Sequence, residues 1–427
     1  MTFEILRPES ETRDRANLSP PRFAPIARVA RRLVHDRLRT MSGGRIRFVD
    51  ALGVTTVGRA SDLDVEVRIL DLAFYRLAAF GGALGVAESY LRGHWDADDL
   101  TALFRIFARD GAANVGLEGE REGWRARFER WRHARRRNTP RGSRRNIAAH
   151  YDLSNEFFAL FLDPTMMYSA GVFRDESTTM EEASVAKVDL VCRKLELGPE
   201  HRLLEIGTGW GYLAIHAAEN YGCRVVTTTI SRRQHEVATR RVRERGLEDR
   251  IEVRLEDYRD LRGTFDRVVS IEMIEAVGAE YWGRYYEEIA ARLAPGGLAL
   301  VQAITIRDEV FERARREIDF IKRYVFPGCC IPSLGALEAA RASAVGLDLV
   351  GTEDIGPHYA TTLRHWRRRF LANAARVREL GFDDRFKRLW EYYLRYCEAG
   401  FAEGHIGDHQ LLYRRRPGPT PAAGPAR

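Results

Sequence analysis

Leu203-Leu204-Glu205-Ile206-Gly207-Thr208-Gly209-Trp210-Gly211 runs directly into Tyr212-Leu213-Ala214-Ile215-His216-Ala217-Ala218. An apolar run closes on an acidic residue, three glycines alternate with other residues, and a helical pattern follows. That order reads as a buried parallel strand, a tight turn and a helix N-terminus. Glycine at such a turn lets the backbone approach a ligand closely, because no Cβ stands in the way and positive φ is allowed. Alone, the turn says only that a nucleotide-like cofactor binds a doubly wound sheet.

The flanking sequence extends the pattern in both directions. Strand-like runs at Arg202–Ile206, Arg224–Ile230, Ile251–Leu255, Phe265–Ile271 and Leu298–Thr305 alternate with helical patterns over Glu182–Leu197, Arg232–Arg245 and Tyr281–Leu293. This alternation predicts an α/β fold with a doubly wound, Rossmann-like parallel sheet. Residues 306–415 read as helix-rich, with a closing strand at Gln410–Arg414. Upstream, short strands at Arg45–Val49, Val54–Gly58 and Val65–Ile69, with helices near 27–40, 72–80 and 98–109, predict a small α+β N-terminal domain. The chain therefore divides into a loose lead-in (1–24), the small domain (25–120), a basic linker helix (121–145), a catalytic part (146–415) and a disordered tail (416–427).

Composition sets the outer bounds. Of 427 residues, 30% are charged and 45% hydrophobic, the balance of an ordinary globular protein. No apolar run reaches the roughly 18 residues that a membrane span needs, and the first residues lack the apolar core of a secretory signal. The expectation is a cytoplasmic protein. Five cysteines without CxxC spacing give no zinc site, so no metal is expected. The net charge of +7 is concentrated in Trp124–Arg145, where Trp124, Phe128 and Trp131 recur at helical spacing among arginines. One reading is a solvated basic helix; the other is a surface for anionic headgroups or nucleic acid.

The cofactor follows from charge. In a dinucleotide turn of the form G-x-G-x-x-G the third glycine would come one residue later than Gly211, and the Glu205 carboxylate would repel a phosphate. S-adenosylmethionine (AdoMet) carries no phosphate, and its ammonium and sulfonium favour a nearby carboxylate. Glu256 and Asp257, just after the third strand, are placed to accept from an adenine amino group. AdoMet is the predicted cofactor.

The ordered segments then resemble the cyclopropane-fatty-acyl-phospholipid synthase family, which includes the mycolic acid cyclopropane synthases. They are Asn146–Asn155, Met167–Ala170, Glu205–Gly211, Thr229–Gln234, Asp257–Asp260, Glu272–Gly278, Tyr324–Gly328 and His358–Leu363, with a weaker match at Ala87–Trp95. The resemblance implies a helical lipid-binding cap on the methyltransferase sheet. It implies AdoMet contacts from Tyr168, Ser169, Gly207, Gly209, Thr229, Ile230, Gln234, Asp257 and Ile271. It also implies a bicarbonate ion acting as general base, held by Glu275, Tyr359, Gln302 and the backbone amides of Ala170 and Ile304. The activity implied is methyl transfer to the double bond of an unsaturated acyl chain on a membrane phospholipid, giving a cyclopropane. Proton loss from a neighbouring carbon would instead give a methyl-branched or exomethylene chain. An anionic inner-leaflet surface is the implied partner, and a homodimer is the candidate oligomer.

Three positions depart from the family pattern: Ala170 replaces Cys, Gln302 replaces His, and Ala276 replaces the His after Glu275. Glutamine can hydrogen-bond an anion but cannot carry a proton. Glu272 and Asp266 read as structural, and His150, His358 and His409 as ordinary. A nucleic-acid methyltransferase is disfavoured, because Ile271-Glu272-Met273-Ile274 stands where an Asn/Asp-Pro-Pro-Tyr base-flipping motif would be.

Overall fold

A computed structural model describes residues 24–110 and 153–417. The basic segment 121–145, the lead-in, His150 and the last ten residues lie outside the described residues. The chain forms two units, one comprising residues 1–125 and 381–399 and the other residues 126–380 and 400–427.

In the first unit, β1 (Arg45–Asp50), β2 (Gly53–Gly58), β3 (Asp64–Ile69) and β4 (Trp95–Ala97) make a sheet in the order β2-β1-β3-β4. Alternation does the work here: Ile46, Phe48, Val65 and Val67 are buried while Arg45, Arg47 and Asp64 face water. Helices α1 (Ala24–Leu38), α2 (Ala73–Leu91) and α3 (Leu100–Arg109) accompany it, and Asp99 caps α3 by accepting from Ala102 N at 3.0 Å. The helix expected near 72–80 runs on to Leu91, broken at Gly82, whose φ of 56° only glycine adopts readily. Residues 381–399, assigned from sequence to the catalytic part, cluster instead with this unit. Tyr392 packs edge-on to Phe104 at 4.7 Å, and the Arg388 guanidinium lies 3.9 Å from the Tyr90 ring centroid.

The second unit holds the sheet the glycine turn predicted. Strands β5 (Arg202–Ile206), β6 (Arg224–Thr229), β7 (Ile251–Leu255), β8 (Phe265–Ile271) and β9 (Leu293–Ile306) run parallel in the order β9-β8-β5-β6-β7. Beyond β9 lie two antiparallel strands, β11 (Ile406–Arg415) and then β10 (Leu347–Asp354). The order reverses between β5 and β8, so a crevice opens at the carboxyl ends of those two strands. Around the sheet run α4 (Asn155–Ala159), α5 (Met180–Lys194), α6 (Tyr212–Tyr221), α7 (Arg232–Glu244), α8 (Trp282–Arg292), α9 (Asp308–Ala314) and α10 (Leu334–Arg341), with α11 (Gly356–Ala372) following β10. Thr179 and Glu182 form a reciprocal capping box that starts α5, and Ser231 caps α7 through Gln234 N. Among the described residues no helix is long and apolar enough to cross a membrane.

Candidate active site

The glycine turn meets the β8 turn at the switch point. Gly207, Gly209 and Gly211 have φ of 103°, 52° and 88°, and space is open where a Gly209 Cβ would stand. A Cβ on Gly207 would lie 3.3 Å from Met273 Cγ, which places the Glu272-Met273 turn directly beside the cofactor turn. These three left-handed glycines, the open space and the carboxylates of Glu272 and Asp257 at the same end of the sheet fit AdoMet, a phosphate-free cation.

The other expected cofactor residues ring the same end of the sheet. Thr229 Oγ1 donates to Gln234 Oε1 at 2.8 Å, tying the end of β6 to the first turn of α7, with Ile230 between them. Asp257 is buried, and Arg259 grips both its oxygens at 2.8 and 2.7 Å. That leaves lone pairs for an adenine amino group on a fixed carboxylate. Glu256 is half-exposed, with Arg254 3.8 Å away. The Tyr168 ring stacks on Trp366 at 5.1 Å and meets Phe158 at 5.3 Å, an aromatic wall that sequence reading missed in Trp366.

Glu205, expected beside the cofactor's positive charge, lies in β5 just ahead of the glycine turn. It is buried, accepts from Thr227 Oγ1 at 2.5 Å, and burial pushes its pKa up to about 8, partly offset by Thr227 and Lys187. Lys187, on α5, is itself fully buried without a hydrogen-bond partner among the described residues, and desolvation lowers its pKa to about 8. Glu272, Asp408 and Glu205 are the charges that oppose this lowering.

The five positions expected to hold bicarbonate do come together, but around side-chain carboxyls. Tyr359 OH donates to Glu272 Oε2 at 2.7 Å. Ser169 Oγ, Ala170 N and Gln302 Nε2 reach Glu272 Oε1 at 2.6, 3.2 and 2.9 Å. Ile304 N donates to Glu275 Oε1 at 2.5 Å. The orientation of Gln302 follows from its neighbours. Lys194 Nζ can only donate, and does so to Gln410 Oε1 at 2.6 Å; Gln410 Nε2 then donates to Gln302 Oε1 at 3.1 Å. The amide NH₂ of Gln302 is thereby turned toward Glu272 and toward Asp408 Oδ2 at 2.8 Å.

Reading Glu272 as structural is therefore corrected: it is the centre of the cluster. It stands one residue beyond β8, its N–H donating to Gln302 O at 2.8 Å, with φ of 48°. A non-glycine residue there stores about 1–3 kcal/mol of strain, and four donors hold it in place. The expected bicarbonate site does not fit as the residues stand, because its donors already serve Glu272 and Glu275. A further anion about 4 Å from Glu272 would meet roughly 4 kcal/mol of repulsion at an effective dielectric near 20. Asp266 is structural as expected, accepting from Arg202 N at 2.8 Å.

Glu275 is half-buried as a residue, but its Oε2 is shielded from solvent and has no hydrogen-bond partner among the described residues. Burial first, then the neighbouring Glu272, push its pKa up to about 8, and burial also raises Asp408 well above the carboxylate range. Glu205, Glu275 and Asp408 thus bind protons more tightly folded than unfolded, so stability falls as pH rises from about 4.5 to 8. Lys187 acts with the opposite sign only above about 8, where the unfolded lysine still holds its proton. The urea midpoint of ligand-free protein is expected to fall between about pH 5.5 and 8, with a shallower slope in Glu275→Gln. A flat wild-type midpoint over that range contradicts this electrostatic reading.

Comparison with known proteins gives the family. Residues 138–411 match the family model for mycolic acid cyclopropane synthetase. Tuberculostearic acid methyltransferase UfaA1 of Mycobacterium tuberculosis is 38% identical over 344 residues, 79% of this chain and 80% of its own. The cyclopropane-fatty-acyl-phospholipid synthase of Escherichia coli K12 is 34% identical over 353 residues, 82% of this chain and 88% of its own. Mycolic acid cyclopropane synthase CmaA1, crystallised with SAH and CTAB, superposes with a TM-score of 0.60 at 33% identity, covering 64% of this chain and 98% of that one. The chain thus belongs to the mycolic acid cyclopropane synthetase family and is an AdoMet-dependent enzyme of the cyclopropane-fatty-acyl-phospholipid synthase type.

Proposed function

We propose that the enzyme transfers the methyl group of AdoMet to the double bond of an unsaturated acyl chain carried by a membrane phospholipid. The observation that carries this reading is a half-buried carboxylate, Glu272, fixed by four donors and set beside the AdoMet turn, with Tyr359, Trp366 and Tyr168 packed in series next to it. An isolated alkene is a weak nucleophile, and its methylation leaves a carbocation that water would trap. A dry pocket with one fixed anion stabilises that cation and accepts its proton.

AdoMet, when bound, supplies the electrophilic methyl. The residues of this chain then decide the product by choosing which proton leaves. Loss from the new methyl with ring closure gives a cyclopropane, the outcome suggested by the name of the E. coli relative. Loss from a neighbouring chain carbon gives a methyl-branched unsaturated chain. The second outcome is favoured by Gln302, which cannot pass a proton onward, and by the higher identity to a tuberculostearic acid methyltransferase. Incubation with deuteromethyl AdoMet separates the two. A cyclopropane has lost one methyl deuteron and shows ring protons in the NMR spectrum, whereas the methyl-branched product retains the whole label.

Membrane recruitment is supported within the described residues by α1. Its Ile26, Val29 and Leu33 are exposed on one face, beside exposed Arg28 and Arg32. Each apolar residue buried in lipid contributes about 1.5–3 kcal/mol. An Ile26→Glu/Val29→Glu variant is expected to bind phosphatidylglycerol vesicles at least tenfold more weakly than wild type. Wild-type binding itself should weaken with added salt. Equal binding by variant and wild type removes α1 from the membrane contact.

A further inference from the structure

We infer that Glu272 takes the place of bicarbonate as the general base, so that the base of this enzyme is part of its own chain. The inference rests on the alkene-methylation reading above. Three of the groups assigned to the anion, Tyr359 OH, Ala170 N and Gln302 Nε2, converge on the two Glu272 oxygens, and Ser169 Oγ adds a fourth donor. The fourth expected ligand, Ile304 N, is taken by Glu275. Glu272 therefore sits inside the donor cage in which a free anion would otherwise be held.

Two of the three departures, Gln302 and Ala170, acquire one explanation. Where a histidine could share its proton with a bound anion, Gln302 offers an NH₂ whose direction is set by Gln410 and Lys194. That NH₂ also touches Asp408, so the amide bridges the Glu272 carboxylate and the buried Asp408 carboxyl. The contact at Ala170 runs through the backbone amide, which the loss of a cysteine side chain leaves intact. The left-handed Glu272 backbone turns the carboxylate back over the end of β8, where it meets donors from β9 and α11. Buried Lys187 supplies a compensating positive charge in place of solvent.

The chemistry balances without a diffusible base. The C–S bond of AdoMet breaks with its electron pair left on sulfur, and the alkene π pair forms the new C–C bond, leaving a cation on the adjacent carbon. A C–H bond then breaks, either on a chain carbon next to that cation or on the new methyl. Its proton goes to a Glu272 oxygen, and its electron pair forms the C=C bond or the third side of a ring. Protons beside a carbocation are acidic enough for an ordinary carboxylate to remove them. Neutral Glu272 returns its proton to water once the product has left.

The test uses the full chain, AdoMet and oleoyl phosphatidylglycerol vesicles in buffer stripped of carbon dioxide. Wild-type turnover is expected to be the same with and without added bicarbonate. Glu272→Gln is expected to lose at least a hundredfold in kcat, the scale of general-base removal, with AdoMet affinity within about threefold of wild type. Glu272→Gly relieves the left-handed strain and empties the cage; it should fold, start inactive, and regain turnover as bicarbonate is added. A second readout does not depend on turnover: ¹³C-bicarbonate observed by NMR should broaden with Glu272→Gly and not with wild type. Bicarbonate-dependent wild-type turnover, or broadening by wild type, overturns the inference. If wild type methylates no lipid yet the broadening falls only on Glu272→Gly, the substrate reading fails and the self-supplied anion stands.

Discussion

Tyr359→Phe is expected to lower kcat by roughly ten- to a hundredfold while leaving AdoMet affinity within twofold. The hydroxyl donates to a carboxylate at 2.7 Å, and a hydrogen bond to a charged group contributes about 1.5–3 kcal/mol. Removing the oxygen frees one arm of Glu272 while the ring stays where it is. Tyr359 stacks on Phe401 with centroids 4.3 Å apart and stands edge-on to Trp366 at 6.1 Å. The packing that fixes the ring is thus independent of the hydroxyl, and the melting temperature should change little. Steady-state turnover on unsaturated phospholipid, with calorimetric AdoMet binding as control, checks the split. A variant with full kcat would show that the hydroxyl only fills space. A variant that loses AdoMet binding instead would place Tyr359 in the cofactor contact.

The second large effect is expected at Gly207. A valine there must adopt φ near 103°, a region closed to β-branched side chains, and its Cβ would approach Met273 Cγ to 3.3 Å. Relief requires shifting either the cofactor turn or the Glu272-Met273 turn, and both belong to the site. Gly207→Val should therefore weaken AdoMet or S-adenosylhomocysteine binding by two orders of magnitude or more, as measured by calorimetry. Gly246→Val is the matched control. Gly246 has φ of 62°, with nothing within 4 Å of its would-be Cβ, in the turn after α7. It carries similar backbone strain, so it should lower stability and leave affinity intact. Equal losses of affinity in both variants would mean that strain acts through global stability rather than through the site.

The parallel strands were legible because each is a short apolar run between turn signals, and β5, β7 and β8 begin and end where the pattern places them. Strand β10 was hidden for a physical reason. Of its eight residues only Leu347 is buried, so it has no alternation to read and owes its conformation to pairing with β11. The aromatic face of 384–402 was readable as helical. Its partners, Tyr90 and Phe104, lie almost three hundred positions earlier, and no local pattern carries that separation.

The site shows the same division. The glycine turn, Tyr168, Gln302, Glu275 and Tyr359 were recognisable from their segments. Glu272 reads from the sequence as structural. The signal that could have found it was position: it follows β8 directly, at the carboxyl edge where ligands of an open α/β sheet gather. Lys187 was within reach too, since it lies one helical turn from buried Ala183 and Val191 on α5. Asp408, on a strand near the far edge of the sheet, had no such marker.

The central claim is methylation of an acyl double bond, and mass spectrometry of phospholipids treated with enzyme and deuteromethyl AdoMet tests it most directly. Unsaturated chains should gain one labelled carbon, with saturated chains in the same vesicles untouched. Label appearing on headgroups, on saturated chains, or nowhere while AdoMet is consumed would contradict the claim.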